Sequence, residues 1–122
     1  MNKAIIEVAV TDEQIDSFLC GAFEGGSTYW CGSIKVKDND YKGTDYASEC
    51  VSKGGIIEVY RLGIASEFEP IIISKKDIIR GLELMSINGY KKSLNRLLFG
   101  DYDSDDCDNL FQMACFKEVI YG

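Results

Sequence analysis

Thr11-Asp-Glu-Gln-Ile-Asp-Ser-Phe-Leu-Cys-Gly-Ala-Phe-Glu-Gly-Gly-Ser-Thr-Tyr-Trp30 is the stretch from which the fold can be argued. Thr11 and Gln14 stand at capping-box spacing, so each can satisfy a backbone N–H at the start of a helix. Ile15, Phe18, Leu19, Ala22 and Phe23 then fall at i, i+3, i+4, i+7 and i+8, a single apolar stripe on a helical surface. Gly25 or Gly26 offers the left-handed residue that ends such a helix, and the chain passes at once to its only tryptophan, Trp30. The spacing predicts an amphipathic helix from Thr11 to about Glu24.

Working outward, residues 3–10 (Lys-Ala-Ile-Ile-Glu-Val-Ala-Val) are rich in β-branched side chains and predict a strand ahead of that helix. Tyr29 to Lys37 predicts a second strand, and the polar run 38–45 a loop full of turn formers. A short helix is expected from about Tyr46 to Ser52, ending at Gly54-Gly55. Ile56–Leu62 and Phe68–Ile73 predict a β-hairpin joined near Gly63–Glu67. Pro70, which has no N–H, suits its edge. Ser74 with Asp77 predicts a helix over 75–87 that turns Ile78, Ile79, Leu82, Met85 and Ser86 inward and stops at Asn88-Gly89. Another short helix over 91–98 carries Leu94, Leu97 and Leu98.

Ser104 is the expected cap of the last helix. Asp105 and Asp106 lie in its first turn, where negative charge complements the dipole, and Cys107, Leu110, Phe111, Ala114 and Cys115 lie on its buried face. The end, Phe116–Gly122, is apolar to its penultimate residue, which predicts a tail docked on the core or on another subunit. The order β-α-β-α-β-β-α-α-α predicts an α+β domain, a small, mostly antiparallel sheet covered on one face by helices.

A length of 122 residues suits one domain, and 46% apolar content suffices for its core. No apolar run approaches the ~20 residues of a membrane span, and Met1-Asn2-Lys3 opens without an apolar leader, so a cytoplasmic protein is expected. Five cysteines without a C-x-x-C pair, and no histidine, predict reduced thiols and no zinc site. The net charge of −7 argues against broad nucleic-acid binding and leaves open a basic partner or mimicry of nucleic acid. The lack of histidine removes Ser-His-Asp and Cys-His catalysis within one chain. A non-catalytic protein without a cofactor is the expectation.

Two constellations are candidates for binding. In Glu24-Gly-Gly-Ser-Thr-Tyr-Trp30, Gly25 and Gly26 allow close approach of a ligand to the backbone, and Ser27 and Thr28 supply hydroxyls. Tyr29 and Trp30 supply faces on which a nucleotide-like base can stack. The same residues also read as a helix cap followed by core aromatics. Arg61 and Arg80, two of only three arginines, can grip phosphate bidentately, although Arg80 has Glu83 as a ready i,i+3 partner. The run Asp101–Asp108 approaches calcium-loop spacing, but it places Asp106 where glycine is needed and Gln112 where glutamate is needed. An acidic helix start is the better reading.

Three segments, Phe18-Leu-Cys-x-Ala-Phe-Glu-Gly-Gly-x-x-Tyr-Trp30, Ile78-Ile-x-Gly-Leu-Glu83 and Asp105-Asp-Cys-Asp-x-Leu-x-Gln-x-Ala-x-Phe-x-Glu-Val-Ile-Tyr-Gly122, resemble a family of short phage and prophage proteins with no assigned activity. The resemblance implies a setting: small phage proteins of this kind often manipulate the host, including by blocking or sponging its defence signals. Hence the first expectation is an anti-defence protein of the host cytosol. It would sequester a small nucleotide signal, a cyclic nucleotide or an ADP-ribose derivative, in a homo-oligomeric pocket. Tyr29 or Trp30 would stack on the base, Arg61 or Arg80 would hold phosphate, and Gly25-Gly26 would offer backbone N–H groups. The alternative is an acidic protein-binding inhibitor or DNA mimic acting on a host nuclease or defence effector. It rests on the charge balance and the Asp-rich runs at 38–45 and 101–108.

Overall fold

Five α-helices and a three-stranded antiparallel sheet form an α+β fold in the computed structural model, which describes residues 1–63 and 69–122. Helix α1 (Asp12–Gly21) continues into a π-helical turn (Ala22–Gly26) and is followed by strand β1 (Cys31–Val36). Helix α2 (Ala47–Ser52), strands β2 (Ile57–Arg61) and β3 (Ile71–Ile73), and helices α3 (Lys75–Ile87), α4 (Lys91–Phe99) and α5 (Ser104–Phe116) complete the order. The predicted hairpin is the antiparallel β2–β3 pair; Phe68 and the connection at 64–67 lie outside the described residues.

Period-two alternation gives the sheet one dry face. Val36, Ile57 and Ile73 pair in one buried row, while their neighbours Lys35, Glu58 and Ile72 pair in a row on the other face. Helices α2, α3 and α5 contact the sheet. Helix α5 runs through the centre of the core. Its Cys107, Leu110, Phe111, Met113 and Ala114 are buried with Ile15, Phe18 and Leu19 of α1 and with Ile78, Leu82 and Met85 of α3. Gly81 lets α3 approach α5 closely, since a Cβ there would stand 3.2 Å from the Ala114 nitrogen.

Local signals placed the helix starts well. Thr11 and Gln14 form the expected reciprocal capping box, at 3.1 and 2.9 Å, and Asp77 accepts from the Ser74 N–H at 2.8 Å. Four expectations fail. Ser86, expected on the inward stripe of α3, is exposed, and its hydroxyl donates to the Glu83 carbonyl of its own helix. Residues 3–10 form no strand: 3–9 run as an exposed arm and only Val10 packs on the core, because strand propensity becomes structure only where a neighbouring edge and a covered face receive it. Gly25 and Gly26 do not end α1 in the left-handed region. The Ser27 N–H instead reaches Ala22 O at 2.9 Å, closing a π turn, and Gly26 is glycine for space, since a Cβ would collide with the Ser104 carbonyl. The cap of α5 is Asp103, one residue before Ser104; its carboxylate accepts from the Asp106 N–H at 3.0 Å.

Candidate functional site

The contact between Gly26 and the start of α5 lays the turn Ser27–Trp30 across that helix. Asp108, one turn into α5 and buried, collects what the turn presents. Its Oδ1 accepts from the Ser27 hydroxyl at 2.7 Å and from Trp30 Nε1 at 2.7 Å. Its Oδ2 accepts from the Tyr29 hydroxyl at 2.6 Å and from Gln112 Nε2 at 2.9 Å. These four donors supply the hydrogen bonds that a buried carboxylate requires, and among the described residues it makes no ion pair. Burial, followed by the hydrogen bond to Asp108, pushes the Tyr29 phenol up to about 12.

Gln112 passes this order on to the C-terminal tail. Its Oε1 accepts from the N–H groups of Ile120 (2.9 Å) and Tyr121 (2.8 Å), and its Nε2 also donates to Tyr121 O at 3.2 Å. The tail is therefore docked on its own core. Tyr121 stacks parallel on Trp30 with ring centroids 5.4 Å apart, Phe111 stacks on Trp30 at 5.5 Å, and Phe116 tilts against it at 5.2 Å.

The residues singled out in the sequence divide accordingly. Ser27, Tyr29 and Trp30 meet at Asp108. Trp30 is 2% exposed between aromatic rings, so it is not a free stacking platform, and Tyr29, half exposed, is the aromatic face left to solvent at this turn. Arg61 donates to the Tyr121 hydroxyl at 3.3 Å and lies 5.3 Å from the Phe116 ring, engaged with the tail. Arg80 is exposed on α3 and bonds Glu83 at 3.0 Å; no hydrogen bond joins it to the other named residues. Glu24 and Gly25 are exposed, and Gly25 has open space around it.

One cleft opens at Tyr29 of the turn and another at Phe23 and Glu24 ahead of it. The first, of about 600 Å³, is lined by Tyr29, Tyr90, Asp105, Asp108, Asn109 and the tail from Val119. The other, of about 360 Å³ between α1 and α2, is lined by Asp16, Glu24, Glu49, Tyr46 and Phe23 among others. Neither has a lysine or arginine in its lining. Among the described residues no cluster of three or more Cys, Asp or Glu side chains is arranged to hold a metal ion, and no helix is long and apolar enough to cross a membrane.

Asp108 and Gln112 were the residues sequence reasoning missed. A signal existed for Gln112: it is the only polar residue between Leu110 and Phe116, where a polar side chain must find partners inside the protein, and Asp108 sits four residues before it on the same face. Comparison with family models, with curated proteins and with solved structures finds no match to this chain.

Proposed function

We propose that this chain is a non-catalytic binding protein that takes a basic segment of a partner protein against the acidic surface around residues 24–30. One observation carries the reading. The cleft at Phe23 and Glu24 holds three carboxylates (Asp16, Glu24, Glu49) and the cleft at Tyr29 holds the exposed Asp105 beside the internally bonded Asp108, with tyrosine in both and no basic lining residue. Tyrosine faces beside carboxylates suit guanidinium and ammonium groups, and a net charge of −7 steers a basic surface towards them. The resemblance to phage proteins supports a host protein as that partner. A nuclease or defence effector, whose own nucleic-acid groove is basic, fits that chemistry.

Sequestering a nucleotide signal is the weaker reading. Both faces of Trp30 are covered, Arg61 is engaged with Tyr121 and Phe116, and Arg80 with Glu83. Tyr29 remains as a stacking face, beside carboxylates that repel phosphate.

Isothermal titration calorimetry with an arginine-rich peptide, and separately with cyclic and ADP-ribose nucleotides, tests the choice. The peptide is expected to bind, about tenfold more weakly when salt rises from ~0.05 to ~0.3 M. Glu24→Gln and Asp105→Asn should weaken it further, while the distant Asp38→Asn should not. Peptide binding that ignores salt and both cleft variants would sink the proposal. A nucleotide that binds to the wild type and is lost in Arg61→Ala would put the sequestering reading in its place.

A further inference from the structure

The predicted strand that found no partner is the basis for this inference. Residues 1–9 are exposed: Ile5 is fully so, and Ile6 and Val8 are more than half exposed. Among the described residues, none of residues 1–10 makes a hydrogen bond, so the arm holds unpaired main-chain donors and acceptors on a strand-forming sequence. Beneath it lies a mainly apolar cleft of about 550 Å³, lined by the arm, by Ile79 and Leu82 of α3 and by Leu94 and Leu98 of α4, with Glu83 and Ser86 also in its lining. The C-terminal tail, docked on its own core, does not cover this face in the manner expected of a subunit contact.

We infer that the occupant is a second copy of this chain, the two arms pairing as antiparallel strands about a two-fold axis at Ile5. The sequence is self-complementary in that register. Lys3 falls opposite Glu7 of the partner subunit, and by symmetry Glu7 falls opposite the partner's Lys3, so two cross-strand ion pairs flank an Ile5–Ile5 contact. Among registers centred on a residue of the arm, this is the one that opposes the two charges; centring on Glu7 would set like charges face to face. Ala4, Ile6 and Val8 share the other, uncharged face of the ribbon, and Ile6 and Val8 are in the lining of the cleft under the arm. Pairing satisfies the main chain of both arms and removes an exposed strand that would otherwise template less specific association.

Sedimentation equilibrium of the full chain, with charge swaps, decides it. Wild type should have twice the 13.6 kDa chain mass, and a variant lacking residues 1–9 should have the single-chain mass with unchanged far-ultraviolet circular dichroism. Lys3→Glu and Glu7→Lys should each weaken the dimer about tenfold, and the double swap should restore it. Ile5→Cys oxidised with diamide should run as a covalent dimer above the wild-type background, and Ala9→Cys should not. A monomeric wild type, or a dimer that survives loss of the arm, overturns the proposal. So does a dimer whose charge swaps add without rescue, which would mean that the arm docks on some other edge of its partner.

Discussion

Asp108 shows how much one side chain can hold in a domain of this size. Asp108→Ala leaves the Ser27 and Tyr29 hydroxyls, the Trp30 indole and the Gln112 amide without their shared acceptor. A loss of about 3 kcal/mol of stability is expected in urea unfolding. Asp108→Asn keeps one acceptor oxygen but turns an NH2 towards donors, so it should fall between wild type and Ala. The same substitution has a spectroscopic consequence. In the wild type, phenolate absorption should show Tyr29 titrating late, near 12, and in Asp108→Asn that step should move down. The sign for stability follows: the folded phenol keeps its proton where the unfolded chain has lost it. Tyr29's contribution is therefore complete below about pH 10 and disappears as pH rises through about 12.

Helix α5 is the element that ties the others down, and Gln112 is its hold on the tail. Gln112→Leu keeps the volume and removes both hydrogen-bonding ends, leaving the Ile120 and Tyr121 N–H groups unpaired. The tail should detach at a cost of about 2 kcal/mol, uncovering one face of Trp30. Since Trp30 is the only tryptophan, a red shift of its emission, together with faster proteolysis after Phe116, reads this directly; unchanged emission would show that aromatic stacking alone holds the tail. Elements built from local rules were legible in the sequence: the Thr11–Gln14 and Ser74–Asp77 boxes, the stripe from Ile15 to Ala22 and the alternation of β2 report on neighbours a few residues away. The arm at 3–10 was not, because a strand is defined by its partner. At the site, Ser27, Tyr29 and Trp30 stood out by composition. Asp108 was hidden in a run of five aspartates between 101 and 108, where only the helical phase set by the Asp103 cap turns 106 and 108 inward and leaves 105 outside.

At the scale of the whole molecule, charge and burial together predict an unusual pH profile. With no histidine, no side chain at its ordinary pKa changes charge between about pH 5.5 and 7.5, so stability should be nearly flat there. The acid limb belongs in part to Asp106, which joins α4 to α5. Burial alone would raise its carboxyl, but Arg96 at 2.7 and 2.8 Å, the Ser93 hydroxyl at 2.6 Å and the backbone of Asp103 outweigh that and bring it down to about 2. A carboxyl depressed in the folded state stabilises above its unfolded value of 3.8, and that stabilisation is lost as pH falls through about 2. Arg96→Met removes the cation and leaves Asp106 buried with weaker partners. Its cost at neutral pH should be about 3 kcal/mol, and its acid unfolding midpoint should move up from the wild-type value. The plateau itself should survive, lowered but still flat, because the substitution adds no group that titrates there. A midpoint that stays in place, measured by circular dichroism from pH 7 to 2, would mean that the Ser93 hydroxyl and the cap hold the carboxylate without the arginine. In that case the α4–α5 junction would rest on neutral hydrogen bonds rather than on an ion pair.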